Sequence, residues 1–140
     1  MRQSVPSSNL RVLVVEDSFE TMQLIKNMLH DIGMTQVFTA KNGTEALALL
    51  NAYDDDESFV DVILSDWKMP GMSGIDLLRQ VRTCDEEIPF LLITGTADRG
   101  SVIEAKACGV TGYIRKPFSS AQLESKMRVV SRILEHRKQD

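Results

Sequence analysis

Five short apolar runs punctuate this chain, and after most of them apolar residues recur every three or four positions. Leu10 to Val15 is nearly continuous and rich in β-branched residues, the pattern of a strand buried on both faces. Met22, Ile25, Leu29 and Ile32 then step along one face of a helix, and Gly33 suits its stop. A weaker strand, Gln36 to Ala40, precedes a helix from about Thr44 to Asn51 that carries Ala46, Leu47 and Leu50. Val60 to Ser65 predicts the third strand, followed by a helix from about Ser73 to Thr83 built on Ile75, Leu78 and Val81. Ile88 to Ile93 predicts the fourth strand. The helix after it, near Asp98 to Ala107 and closed by Gly109, is only weakly amphipathic. Thr111 to Arg115 predicts the fifth strand, and a last helix from about Ser119 carries Leu123, Met127, Val130 and Leu134 on one face.

Strands that alternate with helices in this way argue for βαβ units and a parallel sheet. Right-handed crossovers then place helices on both faces, which makes the expected fold a doubly wound α/β sheet of five strands and five helices. The chain's 140 residues suffice for one domain with a real core. That domain is expected over residues 9–137, behind a polar lead-in at residues 1–8. The acidic run Asp54, Asp55, Asp56 and Glu57 reads as a solvated turn before the third strand.

Composition narrows the function classes without choosing one. Hydrophobic residues are 43% and charged residues 26%, ordinary globular usage, and the net charge of -4 gives no electrostatic case for nucleic acid or an anionic membrane. No apolar run approaches the ~20 residues a membrane span needs. The start of the chain lacks the apolar stretch of a signal peptide, so a cytoplasmic location is expected, with Cys84 and Cys108 as reduced thiols.

Ligands of open parallel α/β sheets bind beyond the carboxyl ends of the strands, so what each strand ends with is informative. The first ends in Glu16 and Asp17, the third in Asp66, the fourth in Thr94, and the fifth in Arg115, Lys116 and Pro117. Singly, Asp17 could cap a helix and Lys116 could be a surface charge. Together they gather three carboxylates, a hydroxyl and one or two cations at one rim. Three carboxylates so close repel one another unless a cation sits among them. A few hard oxygen ligands suit Mg2+ (or Mn2+) that keeps several waters. A divalent cation beside a carboxylate nucleophile and an amine describes phosphoryl transfer to an aspartate.

The segments VLVVED, SDWKMPGMSG, LLITGTA and GYIRKPF, in that order, closely resemble the receiver domains of two-component response regulators over about residues 9 to 135. Within the family the chain is most similar to the single-domain, CheY-like chemotaxis regulators, particularly at SDWKMP and in the KPF ending. The resemblance implies a flavodoxin-like strand order of 2-1-3-4-5. It implies Asp66 as phospho-acceptor, Asp17 as a direct metal ligand, Glu16 acting mainly through a bound water, and Lys68 lending its backbone carbonyl to the metal. Lys116 would pair with the phosphoryl oxygens, Thr94 would be the switch hydroxyl, and Tyr113 the aromatic that turns inward with it. Pro117 matches a proline usually preceded by a cis peptide. The implied partners are a histidine kinase or phosphotransfer protein upstream and a protein target on the face of the fourth helix, fifth strand and fifth helix. No direct nucleic-acid or membrane partner is implied.

The resemblance has departures. Glu16 stands where Asp is commoner, and Lys68 and Thr96 flank the site where chemotaxis regulators tend to carry an amide and an acid. The acidic loop is longer than is typical. The expected function is a phosphorylation switch and not an effector enzyme: it catalyses its own phosphorylation and, slowly, its own dephosphorylation. One alternative is the receiver part of a longer transcriptional regulator. Lys126, Arg128, Arg132, Arg137 and Lys138 offer a basic face for a partner or, more simply, a solvated helix face. A remote alternative is a flavodoxin-like nucleotide or flavin binder. That function wants a phosphate-cradling loop after the first strand, where this chain has Glu16-Asp17-Ser18-Phe19-Glu20.

Overall fold

The five apolar runs form a single parallel sheet in the order β2-β1-β3-β4-β5. The computed structural model describes residues 10–52, 60–95 and 99–138. In chain order the elements are β1 (Arg11–Val15), α1 (Phe19–Asp31), β2 (Gln36–Ala40), α2 (Gly43–Ala52), β3 (Val62–Asp66) and α3 (Gly74–Cys84), then β4 (Phe90–Thr94), α4 (Arg99–Ala107), β5 (Gly112–Arg115) and α5 (Ser120–Lys138). The lead-in at residues 1–8, the acidic run at 54–57, Thr96 and Asp98 lie outside the described residues.

Strand parity divides the core into two layers, because successive side chains of a strand point to opposite faces. Val12, Val14, Val62, Leu64, Leu91, Ile93 and Ile114 pack under α1 and α5, against Met22, Ile25, Leu29, Leu123, Met127 and Val130. Leu13, Val15, Ile63, Phe90 and Leu92 pack on the other face, against Ala46 of α2, Leu77, Leu78 and Val81 of α3 and Ala105 of α4.

The third and fourth strands begin two residues later than their apolar runs predict. Val60 and Ile88 are buried, but they belong to the connections that lead into the ladder. Before β4 the reason is local: Pro89 has no N–H to donate, and pairing starts at Phe90. Both strands also run one residue further, so Asp66 stands inside the ladder opposite Ile93. The helix starts follow side-chain chemistry. Ser18 Oγ accepts from the Thr21 N–H at 3.3 Å. Ser73 and Asp76 each accept from the other's N–H, at 3.1 and 3.3 Å, a reciprocal cap that fixes where α3 begins.

Candidate functional site

Parity also selects the groups that meet at the carboxyl rim. Glu16 continues the Val12–Val14 series, Asp66 continues Val62–Leu64, and Lys116 follows Ile114 by two, so all three issue from the face covered by α1 and α5. Lys116 Nζ lies 2.9 Å from Asp66 Oδ1 and 3.8 Å from Glu16 Oε1. Carboxylate oxygens of Glu16, Asp17 and Asp66 all lie within 4.8 Å of one another. Glu16 and Asp66 are 3% and 7% exposed, whereas Asp17 faces solvent.

The two oxygens of Glu16 are in different situations. Oε2 accepts the Ser18 N–H at 3.0 Å, a contact with the turn that leads into α1. Oε1 is buried and has no hydrogen-bond partner. Burial raises the pKa of this carboxyl above its ordinary value; the Asp66 and Asp17 charges push the same way, while the Ser18 N–H and Lys116 oppose them. A buried, orphaned carboxylate oxygen beside two further carboxylates and one ammonium is a donor set short of positive charge. It fits a hard divalent cation.

Lys68 is exposed in the loop between β3 and α3, and the base of that loop is closed by the Gly74 N–H donating to the Trp67 carbonyl at 2.8 Å. Thr94 is buried at the end of β4, and its carbonyl accepts the Lys116 N–H at 2.7 Å. The Lys116–Pro117 peptide is cis. Tyr113 is half-buried and stands opposite Leu92 in the ladder. Leu92 and Tyr113 pack on the α3 and α4 face, and Thr94, two residues beyond Leu92, issues from it too. Sequence position puts these groups at one rim, and parity separates them: Asp66 and Lys116 toward one layer, Thr94 and Tyr113 toward the other. Gly74 and Ser65 were not singled out from the sequence. Gly74 stands in SDWKMPGMSG, where its glycine could have flagged a close backbone approach.

The model of the response regulator receiver domain family matches residues 12–128. The chemotaxis protein CheY-3 of Vibrio cholerae is 39% identical over 127 residues, which cover 89% of this chain and 94% of that protein. Among solved structures, the chemotaxis protein CheY4 of Vibrio cholerae superposes with a TM-score of 0.77 at 34% identity, covering 86% of this chain and 98% of its own. The fold is shared at 24% identity and a TM-score of 0.74 with the receiver domain of a sensor histidine kinase from Pseudomonas aeruginosa. That likeness covers 86% of this chain and 95% of the other, whose structure has a magnesium ion coordinated in the active site cleft.

Proposed function

The chain belongs to the response regulator receiver domain family, and on that premise we propose that it is a phosphorylation switch with Asp66 as the acceptor. The observation that carries this reading is the 2.9 Å contact of Lys116 Nζ with Asp66 Oδ1 inside a cluster of three carboxylates. An Asp66 carboxylate oxygen would form the new O–P bond as the P–N bond of a phospho-histidine donor breaks, and the imidazole leaves with its nitrogen free to take a proton. Lys116 would neutralise charge on the incoming phosphoryl oxygens. Glu16, Asp17 and Asp66, with the Lys68 carbonyl, would hold Mg2+. When bound, the cation supplies the remaining charge neutralisation and orients the phosphoryl group. The donor would be a histidine kinase or a phosphotransfer protein, and the likeness to chemotaxis proteins favours a motility pathway.

Output would follow from the buried Thr94 hydroxyl being drawn to the phosphoryl oxygens, with Tyr113 filling the space behind it. Both residues issue from the face that α4 covers, and Lys126 of α5 lies over the Tyr113 ring with Nζ 6.0 Å from its centroid, so the change would reach the surface of α4, β5 and α5, where a protein target would read it. The experiment is labelling by acetyl phosphate in Mg2+. The wild type gains an acid-labile adduct and Asp66→Asn gains none; undiminished labelling of the variant would sink the assignment. With beryllofluoride in place of the phosphoryl group, amide shifts should extend to Tyr113 and α4. Shifts confined to the Asp66 pocket would remove the switch.

A further inference from the structure

The acceptor reading leaves open what keeps Asp66 in register with Lys116 and Glu16, which sit on two other strands. Asp66 is the last residue of β3, where the ladder no longer holds the chain on both sides. Three contacts hold the backbone there. The Trp67 N–H donates to the Ile93 carbonyl at 2.8 Å, the Gly74 N–H donates to the Trp67 carbonyl at 2.8 Å, and Ser65 Oγ donates to the Asp66 carbonyl at 3.0 Å.

The first residue of α3 is seated directly on this peptide. A Cβ at position 74 would lie 2.4 Å from the Asp66 carbonyl oxygen, 2.8 Å from Leu92 Cδ2 and 3.1 Å from Trp67 Cα. Gly74 is absent from the positive-φ glycines, which are Gly33, Gly71 and Gly109 among the described residues. Its glycine is therefore required by space and not by backbone conformation. Helix propensity alone gives no reason for glycine over alanine here. The three neighbours differ in what they can yield. Leu92 has a flexible end that can change rotamer, whereas the contact with the Asp66 carbonyl is backbone against backbone and is relieved only if the end of β3 and the start of α3 move relative to one another.

We infer that Gly74 is a positioning residue for phosphoryl transfer: its missing side chain lets the start of α3 rest against the Asp66 peptide and fixes where the acceptor carboxylate stands. The inference rests on Asp66 being the acceptor. A methyl group at position 74 shifts β3's end, while Lys116 on its own strand end and Glu16 beyond β1 stay where they are. The three groups then lose their common geometry although none of them has been changed.

The test is the rate of labelling by acetyl phosphate in Mg2+, with Trp67 emission titrated against Mg2+ in the same samples. In Gly74→Ala the rate should fall by about tenfold to a hundredfold, the scale expected of a misplacement near 1 Å, and the Mg2+ midpoint should rise severalfold. Absence of labelling in the wild type would defeat the acceptor reading itself. A labelled wild type with an equally labelled, folded Gly74→Ala would overturn only the positioning role. The double variant Gly74→Ala with Leu92→Val relieves the side-chain crowding and leaves the carbonyl contact. A rate that stays low supports the inference, and recovery to the wild-type rate overturns it by reducing the effect to core packing. Should near-UV circular dichroism show Gly74→Ala unfolded, Ser65→Ala decides. It removes a donor to the same carbonyl and adds no atoms; a slower rate in a cooperatively folded protein is expected, and an unchanged rate overturns the inference.

Discussion

The helices are not all held alike, and the contrast lies with α4 and not with its whole layer, since α3 beside it buries Ile75, Leu77, Leu78 and Val81. α1 buries Met22, Ile25 and Leu29, and α5 buries Leu123, Met127 and Val130 on the same face of the sheet. On the opposite face α4 buries one residue, Ala105, while its Ile103 is 60% exposed. Polar ties to α3 add to its attachment. Arg79 pairs with Glu104, and Arg82 donates to the Gly109 carbonyl through Nε at 3.0 Å and through a terminal nitrogen at 2.9 Å. Gly109 accepts this approach at φ 91°, a left-handed conformation that a side chain would strain. Apolar burial resists displacement in any direction because any separation exposes area. A few hydrogen bonds can be exchanged for water at small net cost. The proposed acceptor, Asp66, thus issues from the face covered by α1 and α5, and the proposed switch residues Thr94 and Tyr113 from the face that includes the loosely attached α4, where local opening is cheapest.

The sharpest way to break this contrast is truncation on each side. Leu29→Ala should cost about 2–5 kcal/mol of stability, whereas Ile103→Ala should change it by less than about 0.5 kcal/mol. Urea unfolding of the two variants measures both, and equal losses would mean that α4 is packed as firmly as α1.

A middle-sized effect concerns the charge buried beneath the rim. Without Mg2+, Glu16→Gln should stabilise the protein at neutral pH by about 1–3 kcal/mol, since it removes a buried carboxylate charge that has no hydrogen-bond partner at Oε1 and is only partly offset by Lys116 at 3.8 Å. Burial raises the folded pKa of Glu16 above its unfolded value. The residue's favourable contribution is therefore present below the ordinary carboxylate range and is lost as pH rises through the raised folded value. The advantage of Glu16→Gln should accordingly open as pH rises from acid to neutral, and Mg2+ should narrow it by stabilising the wild type more. Denaturant midpoints in chelator and in Mg2+ across that range decide it; a pH-independent difference would mean that Glu16 is not charged in the folded state.

The smallest effect is expected at the tie itself. Arg82→Ala removes both donors to the Gly109 carbonyl and a third to the Asp85 carbonyl, which should cost about 1 kcal/mol. Its signature is regional: amide exchange should quicken around Cys108 to Val110 and stay unchanged in α1. Exchange that rises equally in both would make the loss global and the tie unimportant to α4.

How far the chain could be read without coordinates follows the same division. Periodicity found all ten elements, and strand-end chemistry found the rim of Glu16, Asp17, Asp66, Thr94 and Lys116, because both are local properties of consecutive residues. The errors in β3 and β4 were local too: apolar character reports burial, and Val60 and Ile88 are buried without belonging to the ladder. No helix among the described residues is long and apolar enough to cross a membrane, in keeping with the absence of a long apolar run in the sequence.

Other features depend on distances between residues far apart in the chain. The orphaned Glu16 Oε1 exists because Ser18 occupies the other oxygen while burial keeps water from this one. The Arg82–Gly109 tie joins positions 27 residues apart. The need for glycine at 74 is set by a carbonyl eight positions earlier and by a leucine on the next strand. The sequence by itself determined which runs become strands and which chemistry stands at their ends. Only the tertiary structure decided how closely those ends approach, where each strand begins, and which helix is loosely attached, because close packing couples each backbone position to neighbours that no local pattern names.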